Sequence, residues 1–434
     1  MSEEVELDEF LDESEGEPEQ EWRMVRLEEV AQKRSKNVDP QEVNLERHVG
    51  LEHIDPNTPY PKWDSVGGLS STKRRFESGD ILFAKLRPNL EKSAQPDFEG
   101  VASTDIFPIV GENGVNSKYL LYRLSSKPAY DYDRRTSAGT RMPRTSWNLF
   151  SKFEFSLPPL EEQRKIATVL HNVDQAIQKT ERIIQHHNKL KRILTQDLLN
   201  KGVVECDREV KRVGPKEVEI PEYWEVKKVS EISSIKNGNR IVKGHNYADS
   251  KTEYPFIRIV NMDSGTVSTD NIKYLKPETA EQMQRGIICS DDVYITVTGR
   301  VGDAGTIPEE LDGARFTDNA AKLYELEGII PEYFSLYLRS KFGRDEVHRF
   351  TVGSTQPKLS MYRVEKMEVI VPPVKEQKKI VEKINCVEDS KRANRAYADG
   401  LKSLKQGLMQ DLLSGTVRTT DTNIEVPDEI AQHG

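Results

Sequence analysis

Residues 119–203 recur 214 positions downstream without a gap. Tyr119 aligns with Tyr333, Gly139 with Gly353 and Pro143 with Pro357. PPLEEQRKI at 158–166 aligns with PPVKEQKKI at 372–380, and QDLL at 196–199 aligns with QDLL at 410–413. A repeat this long is a duplicated domain and not a stacked solenoid, whose units run to about 50 residues. Two similar domains on one chain suggest two similar binding events on one ligand. Dissimilar stretches, roughly 40–118 and 240–330, precede the matched segments. A shared frame carrying two variable regions is the organisation of a two-part reader.

At 434 residues the length alone fits about two to four domains, and the duplication selects two. No apolar run is long enough to span a bilayer, and the N-terminus lacks a basic-then-apolar signal pattern. Cys206, Cys289 and Cys386 lie far apart with no metal-ligand spacing, which suits a reducing cytoplasm. A net charge of −9 argues against a nucleic-acid binder, but its distribution matters more. Eleven acids and no bases fall in residues 1–21, and Asp421, Glu425, Asp428 and Glu429 follow Thr420. That leaves 57 of the 72 acids against all 63 bases over residues 22–420, a mildly basic body with acidic ends expected to be flexible and solvated.

Each half opens on an aromatic–basic strand pattern, WRMVRLEEV at 22–30 and WEVKKVSEI at 224–232. ILFAKL (81–86), VYITVTG (293–299) and PFIRIV (255–260) read as strands between turn signals. Short amphipathic helices are expected at 117–127 and 331–341, then Gly-x-x-x-Pro turns at 137–143 and 351–357. A final strand, FEFSLPP or MEVIVPP, leads into a long helix. Each globular part is therefore mixed α and β.

The long helices start after Pro-Pro pairs and stop near Gly202 and Gly415. Alternating four- and three-residue spacings run through Ile166, Leu170, Val173, Ile177, Thr180, Ile184, His187, Lys191, Leu194 and Leu198. The second series is Ile380, Ile384, Val387, Lys391, Asn394, Ala398, Leu401, Lys405, Leu408 and Leu412. Each is a heptad seam, apolar at its ends and polar towards its middle. Pairing of the two seams within the chain is the economical solution, antiparallel if a pseudo-twofold relates the halves; pairing with another chain is the alternative. Helices of roughly 40 residues are about 60 Å long, comparable with one or two turns of B-DNA.

Catalytic signatures are missing. The sequence has no phosphate-binding loop, no H-E-x-x-H and no G-x-S-x-G. GRVGDAG (299–305) has the spacing of a tight turn, and His186-His187 read as a seam position and its solvent neighbour. The Pro-Pro pairs carry Leu157 and Val371 where the methyltransferase signature N-P-P-[FY] needs Asn, so they read as helix starters. Basic residues interleaved with Asn, Gln, Ser and Thr gather in loops, a composition that holds phosphates and reads base edges. The candidate DNA contacts are Lys85, Arg87, Arg134, Arg135, Arg141 and Arg144 in the first half. In the second they are Lys236, Asn239, Arg240, Lys243, Arg300, Gln356 and Lys358. Taken singly, each also fits an ordinary solvated surface.

Two variable domains, each followed by a PPLEEQ-type helix ending in QDLL, resemble the specificity subunit of type I restriction–modification systems. GDILFAKLRPNLEK (79–92), STDIF (103–107), GSTQPKLS (353–360) and the paired PPLEEQRKI and PPVKEQKKI segments carry the resemblance, which covers Trp22 to about Arg418. The halves part at RMPRTSWN (141–148), where the second half has Gln before Pro. The resemblance implies an α+β fold of two similar mixed α/β target-recognition domains, each followed by a long helix, the helices paired as an antiparallel coiled coil. The implied layout is an acidic disordered tail at 1–21, recognition domain 1 at 22–157, long helix 1 at 158–202 and a linker at 203–221. Recognition domain 2 follows at 222–371, long helix 2 at 372–415 and an acidic tail at 416–434. It further implies a non-catalytic, cytoplasmic subunit that reads a two-part gapped site in double-stranded DNA. Two DNA-methyltransferase subunits and restriction/translocase subunits would be its partners. They would use S-adenosylmethionine, ATP and Mg, while this chain binds no cofactor or metal. Exposed helix residues Glu161, Arg164, Lys165, Arg182, Lys189 and Arg192, with Lys375, Lys378, Lys379, Arg392, Arg395 and Lys402, are the expected docking surface. A stand-alone DNA-binding or coiled-coil scaffold protein of a defence system is the alternative, discriminated by recovery of a methyltransferase and by salt-dependent DNA affinity.

Overall fold

The computed structural model describes residues 21–56, 58–112, 114–241, 247–263, 265–353 and 357–432. It divides into two compact units, residues 1–182 with 395–434, and residues 183–394. Each unit takes one globular part and one half of each long helix, so the units do not follow the tandem halves of the sequence.

In the first unit the strand Ile106–Gly111 lies between Ala31–Lys33 and Ile81–Ala84, and Ser93–Ala94 completes the four-stranded sheet. In the second, Ala320–Tyr324 lies between Ser234–Asn237 and Val293–Thr296, with Ala304–Thr306 outermost. The registers correspond: Ile106 faces Ala84 as Ala320 faces Thr296, and Ile109 faces Ile81 as Leu323 faces Val293. All of Ile81–Ala84 and all of Val293–Thr296 are buried. This is why these strands read as continuous runs and do not alternate. A second sheet in each unit, five-stranded in the first and four-stranded in the second, contains one parallel pairing, Arg47–Val49 with Gly100–Ala102 and Pro255–Ile257 with Ala314–Phe316.

The repeated residues hold each unit together. Tyr119 and Tyr333 are fully buried on the helices Ser117–Leu124 and Pro331–Arg339. Their hydroxyls donate to the carbonyls of Ser156 (3.4 Å) and Ile370 (3.0 Å) in the last strand of each part. Gln163 accepts from Asn116 N (2.8 Å) and donates to Pro158 O (2.8 Å). Gln377 accepts from Ile330 N (2.9 Å) and donates to Pro372 O (2.7 Å). The Gln of the PPLEEQ-type motif thus locks the start of each long helix onto the loop that begins the preceding short one.

The long helices are Leu160–Lys201 and Val374–Ser414, ended by Gly202 and Gly415 at φ 72° and 76°. They are in contact in both units. In the first, Ile166, Ala167 and Leu170 share a core with Leu412 and Leu413. Lys405 Nζ lies 2.6 Å from Asp174, and Lys402 Nζ lies 2.8 Å from Glu181. In the second, Leu198 and Leu199 share a core with Ile380 and Ile384, while Lys191 and Lys391 both pair with Glu388. The polar middle of the seam therefore has an electrostatic origin. Lys191, Lys391 and Lys405 occupy seam positions and meet carboxylates that each follow a seam valine, Asp174 after Val173 and Glu388 after Val387.

The acidic C-terminal end was expected to be flexible. Up to residue 432 it is instead a strap seated on the first unit. Ile430 is fully buried, Asn116 Nδ2 donates to Ile430 O (2.7 Å), and Lys165 Nζ donates to Thr420 O (2.8 Å). Glu429 lies 3.0 Å from His171. Composition misled here because one apolar anchor and a few specific partners outweigh local acidity. The acidic arm at 1–20 falls outside the described residues.

Candidate nucleic-acid interface

One end of each main sheet carries a mouth of loops on a common hydrogen-bonded frame. In the first unit Lys85 N donates to Asp105 O, and Thr145 N donates to Lys85 O, both at 3.0 Å. In the second Val297 N donates to Asn319 O (2.8 Å), and Leu359 N donates to Val297 O (3.0 Å). The repeated Gly-containing loops close in the same way. Ala138 and Arg144 exchange backbone hydrogen bonds at 2.9 Å, and Val352 and Lys358 exchange them at 2.9–3.0 Å. Arg144 also bridges Leu86 as Lys358 bridges Thr298. Position by position, Lys85 corresponds to Val297, Arg87 to Gly299, Asp105 to Asn319 and Arg144 to Lys358. The backbone is constant and the displayed chemistry is not.

In the first unit Arg144 lies bidentate on Asp105, with Nε at 3.1 Å and Nη2 at 3.4 Å, and Lys85 Nζ is 3.9 Å from the same carboxylate. Lys85 and Lys33 both stand 5.7 Å from the Phe107 ring centre. Burial and neighbouring cations, Arg74 in both cases, hold these two ammonium groups below the usual lysine range. Arg74 Nε is itself buried without a hydrogen-bond partner. Cations crowded onto a half-buried surface create a site that favours an incoming anion. Arg87 is exposed and held at φ 54°, a left-handed conformation uncommon for a non-glycine residue, where the second unit has Gly299 at φ 75°.

Of the other first-unit candidates, Arg135 and Arg141 are exposed, with Arg135 6.0 Å from the Tyr132 ring. Arg134 is taken up by Glu91 at 2.5 Å and by Asp131, a structural role that weighs against free DNA contact. In the second unit Lys236 and Lys358 are exposed, and Arg240 pairs with Asp318 at 3.3 Å. Asn239 N donates to Phe316 O (2.9 Å), an approach that needs Gly238, since a Cβ there would lie 2.3 Å from Thr317 O. Arg300 donates to the carbonyls of Ile259 (2.9 Å) and Met262 and reaches Asp303 at 3.4 Å, so it braces its own loop. GRVGDAG is the expected tight turn, with Gly299 and Gly302 at positive φ. Lys243 and Gln356 lie outside the described residues.

The candidates read from sequence did not include Lys33, Arg74, Asp105 or Asn319, although STDIF at 103–107 and TDNAA at 317–321 occupy equivalent strand starts.

On the helices, Glu161, Arg182, Lys189, Arg192, Lys375, Lys378, Lys379, Arg392, Arg395 and Lys402 are exposed. Arg164 and Lys165 are not free for docking, because the strap uses them: Arg164 donates to Ala431 O (3.2 Å) and Lys165 to Thr419 O (3.2 Å). Exposed apolar residues stand among the charges, Ile183 and Leu190 in the second unit and Tyr397 and Leu404 in the first. Each pair is seven residues apart, and the pairs are separated by the same 214-residue offset. Among the described residues no cluster of His, Cys, Asp or Glu could hold a metal, and no helix is long and apolar enough to cross a membrane.

Residues 19–186 and 221–395 match the family described as type I restriction modification DNA specificity domain. The chain is 23% identical over 332 residues to the type I restriction enzyme MjaVIII specificity subunit of Methanocaldococcus jannaschii, covering 75% of this chain and 76% of that one. It is 27% identical over 187 residues to the EcoDI specificity subunit of Escherichia coli, covering 42% and 41%. Among solved structures, a chain described under complex assembly and conformational transition of the type I R-M system aligns with TM-score 0.59 and 21% identity, over 92% of this chain and 98% of that one. The S subunit of the M. genitalium type I restriction-modification system aligns with TM-score 0.51 and 12% identity, over 90% and 96%. These likenesses show the fold.

Proposed function

The chain belongs to the type I restriction modification DNA specificity family, and from that premise we propose that it reads a DNA site in two parts, one part with each mouth. Its role is sequence specificity without catalysis. The observation that carries the two-part reading is the pair of equivalent frames bearing different side chains: Arg87, Asp105 and Arg144 in one, Gly299, Asn319 and Lys358 in the other. A duplicated frame alone would give a palindromic reader. Different displayed groups give an asymmetric one.

The contacts Asp174–Lys405 and Glu181–Lys402, with the shared apolar ends, support an antiparallel coiled coil of the two long helices. Double-stranded DNA, two DNA-methyltransferase subunits and restriction/translocase subunits are the partners in this reading, in the cytoplasm. The partners use S-adenosylmethionine, ATP and Mg, and this chain positions them. Ile183, Leu190, Tyr397 and Leu404 are the apolar centres of the docking faces, and the charged residues around them form the rim.

The test is a methylation assay with S-adenosylmethionine and DNA, using this chain alone, the methyltransferase alone, and both. Site-specific methyl transfer is expected only in the mixture. Methylation or cleavage by the isolated chain would overturn the reading, as would DNA affinity independent of salt.

A further inference from the structure

Asp105 and Asn319 occupy one position of the common frame. Each supplies the carbonyl that receives the end of the adjacent strand, at 3.0 Å from Lys85 N and 2.8 Å from Val297 N. Each side chain stands at the mouth, Asp105 half-buried and Asn319 exposed. What differs is the hydrogen-bonding capacity. The Asp105 carboxylate only accepts, and it aligns the planar guanidinium of Arg144 through Nε and Nη2. Asn319 both accepts and donates: its Oδ1 faces Thr298 Oγ1 at 2.5 Å and its Nδ2 faces Thr317 Oγ1 at 3.3 Å.

In the major groove a guanidinium pairs with guanine O6 and N7, a carboxylate accepts from the cytosine amino group, and a carboxamide pairs with adenine N6 and N7. Asp105 and Arg144 together therefore match the two bases of one G·C pair, a donor fork for guanine beside an acceptor for cytosine. Asn319 matches adenine. Lys85 and Arg144 beside Asp105, with Arg74 and Lys33 neighbouring Lys85, explain how a carboxylate is tolerated at a surface that meets DNA, since local cations offset its repulsion of phosphates.

We propose that Asp105 with Arg144 reads a G·C base pair in one half-site, and that Asn319 reads adenine at the corresponding step of the other. This rests on the DNA-specificity reading above and adds to it which side chains discriminate.

The experiment uses the full chain with its methyltransferase and a pool of DNA randomised in sequence, sequencing the methylated products. The variants are Asp105→Asn, Arg144→Lys and Asn319→Asp, each placing at one position the residue that the other frame carries, or its close analogue. Thermal melts establish that each variant folds. Asp105→Asn and Arg144→Lys are expected to relax or switch preference at one G·C pair of one half-site by about 5- to 150-fold, leaving the other half-site unchanged. Asn319→Asp is expected to do the same at one A·T pair of the other. Uniform weakening over all sequences would assign these groups to phosphate contact and overturn the inference, as would unchanged preferences. If the wild-type complex shows no sequence preference, the specificity reading itself fails.

Discussion

The Arg418 guanidinium lies bidentate on the buried carboxylate of Glu162, with Nε at 2.8 Å and Nη2 at 2.9 Å. Trp22 Nε1 (2.8 Å) and Thr419 N (3.2 Å) donate to the same carboxylate, so one glutamate ties the start of the first recognition part to the strap that follows the second helix. Glu376 does the same in the second unit, accepting from Trp224 Nε1 (2.9 Å), Tyr223 Oη (2.9 Å) and Val203 N (3.0 Å). Removing one partner of a buried pair leaves the other unsatisfied, at about 3–5 kcal/mol. Arg418 is one-third exposed, which lowers the expectation for Arg418→Ala to about 2–3 kcal/mol. Chemical denaturation of the full chain is expected to show a lower midpoint for that variant.

Acid acts on the same carboxylate. Burial raises the Glu162 pKa, but donors from Arg418, Trp22 and Thr419 outweigh it and hold the group below its ordinary value of 4.5. A depressed carboxylate stabilises the fold fully above its unfolded pKa, and this contribution disappears as pH falls through the folded value. Denaturation midpoints are expected to drop as pH falls below the ordinary value of 4.5 and through the depressed folded one. Glu162→Gln should be less stable at neutral pH and show a shallower fall in acid. An unchanged pH profile would exclude this group as a source of acid lability.

Asp133 has the opposite sign. Its carboxyl is buried, and Thr145 and Arg134 offset only part of that burial, at the position where the second repeat has the buried Val347. Burial pushes its pKa up to about 7. A raised carboxyl costs stability progressively as pH rises from the unfolded pKa of about 3.8 to the folded value, and the penalty is then constant. Asp133→Asn is expected to be more stable than wild type at pH 8, by at most about 4 kcal/mol, and nearly equal to it at pH 4. Thermal melts at the two pH values check this.

The duplication, the strand runs, both long helices and their glycine stops were legible because each follows from local pattern or from the 214-residue offset. The polar seam was visible, but Asp174 and Glu388 as its partners were not, because each sits one residue off the heptad. The same limit applied to the mouths. Arg144 was visible as a loop cation, whereas Asp105 acquires its place only when a strand start is brought beside the loop. Arg134 and Arg300 looked equivalent to Arg144 in composition, yet internal ion pairs and carbonyls hold them. Charge counting also hid the strap, whose seat on the first unit depends on Ile430.

Lys33 and Arg74 are expected to act on phosphates and not on bases, because they stand on the strands Ala31–Lys33 and Lys73–Phe76 and not on the loop that carries Arg144. Lys33→Ala and Arg74→Ala should each weaken binding to specific and unrelated DNA alike. Each should also reduce the slope of log affinity against log salt by about 1. A change confined to one DNA sequence would instead make them base readers. Thermal stability should rise slightly or stay level, since like charges are being removed.

Leu190 and Leu404 test the proposed docking faces separately from stability. Both are about half exposed, on the flank of the seam that Leu198 with Ile380 and Ile166 with Leu412 close at its ends. An exposed leucine on a long helix is unremarkable by itself. Each of the two, at the same repeat position and seven residues from another exposed apolar residue on its own helix, Ile183 or Tyr397, forms with it a stripe that a partner helix can cover. Leu190→Glu and Leu404→Glu are each expected to leave the melting temperature of the isolated chain within about 2 °C, as surface substitutions do. Each should weaken association with the methyltransferase by tenfold or more, the scale of losing one buried anchor of about 1.5–3 kcal/mol. The two losses should be similar and separable, because the duplication makes the faces equivalent. Titration calorimetry of the variants against the methyltransferase measures stoichiometry as well as affinity, and each single variant should retain one strong site of two. Equal affinity in all variants would move the docking surface elsewhere on the chain.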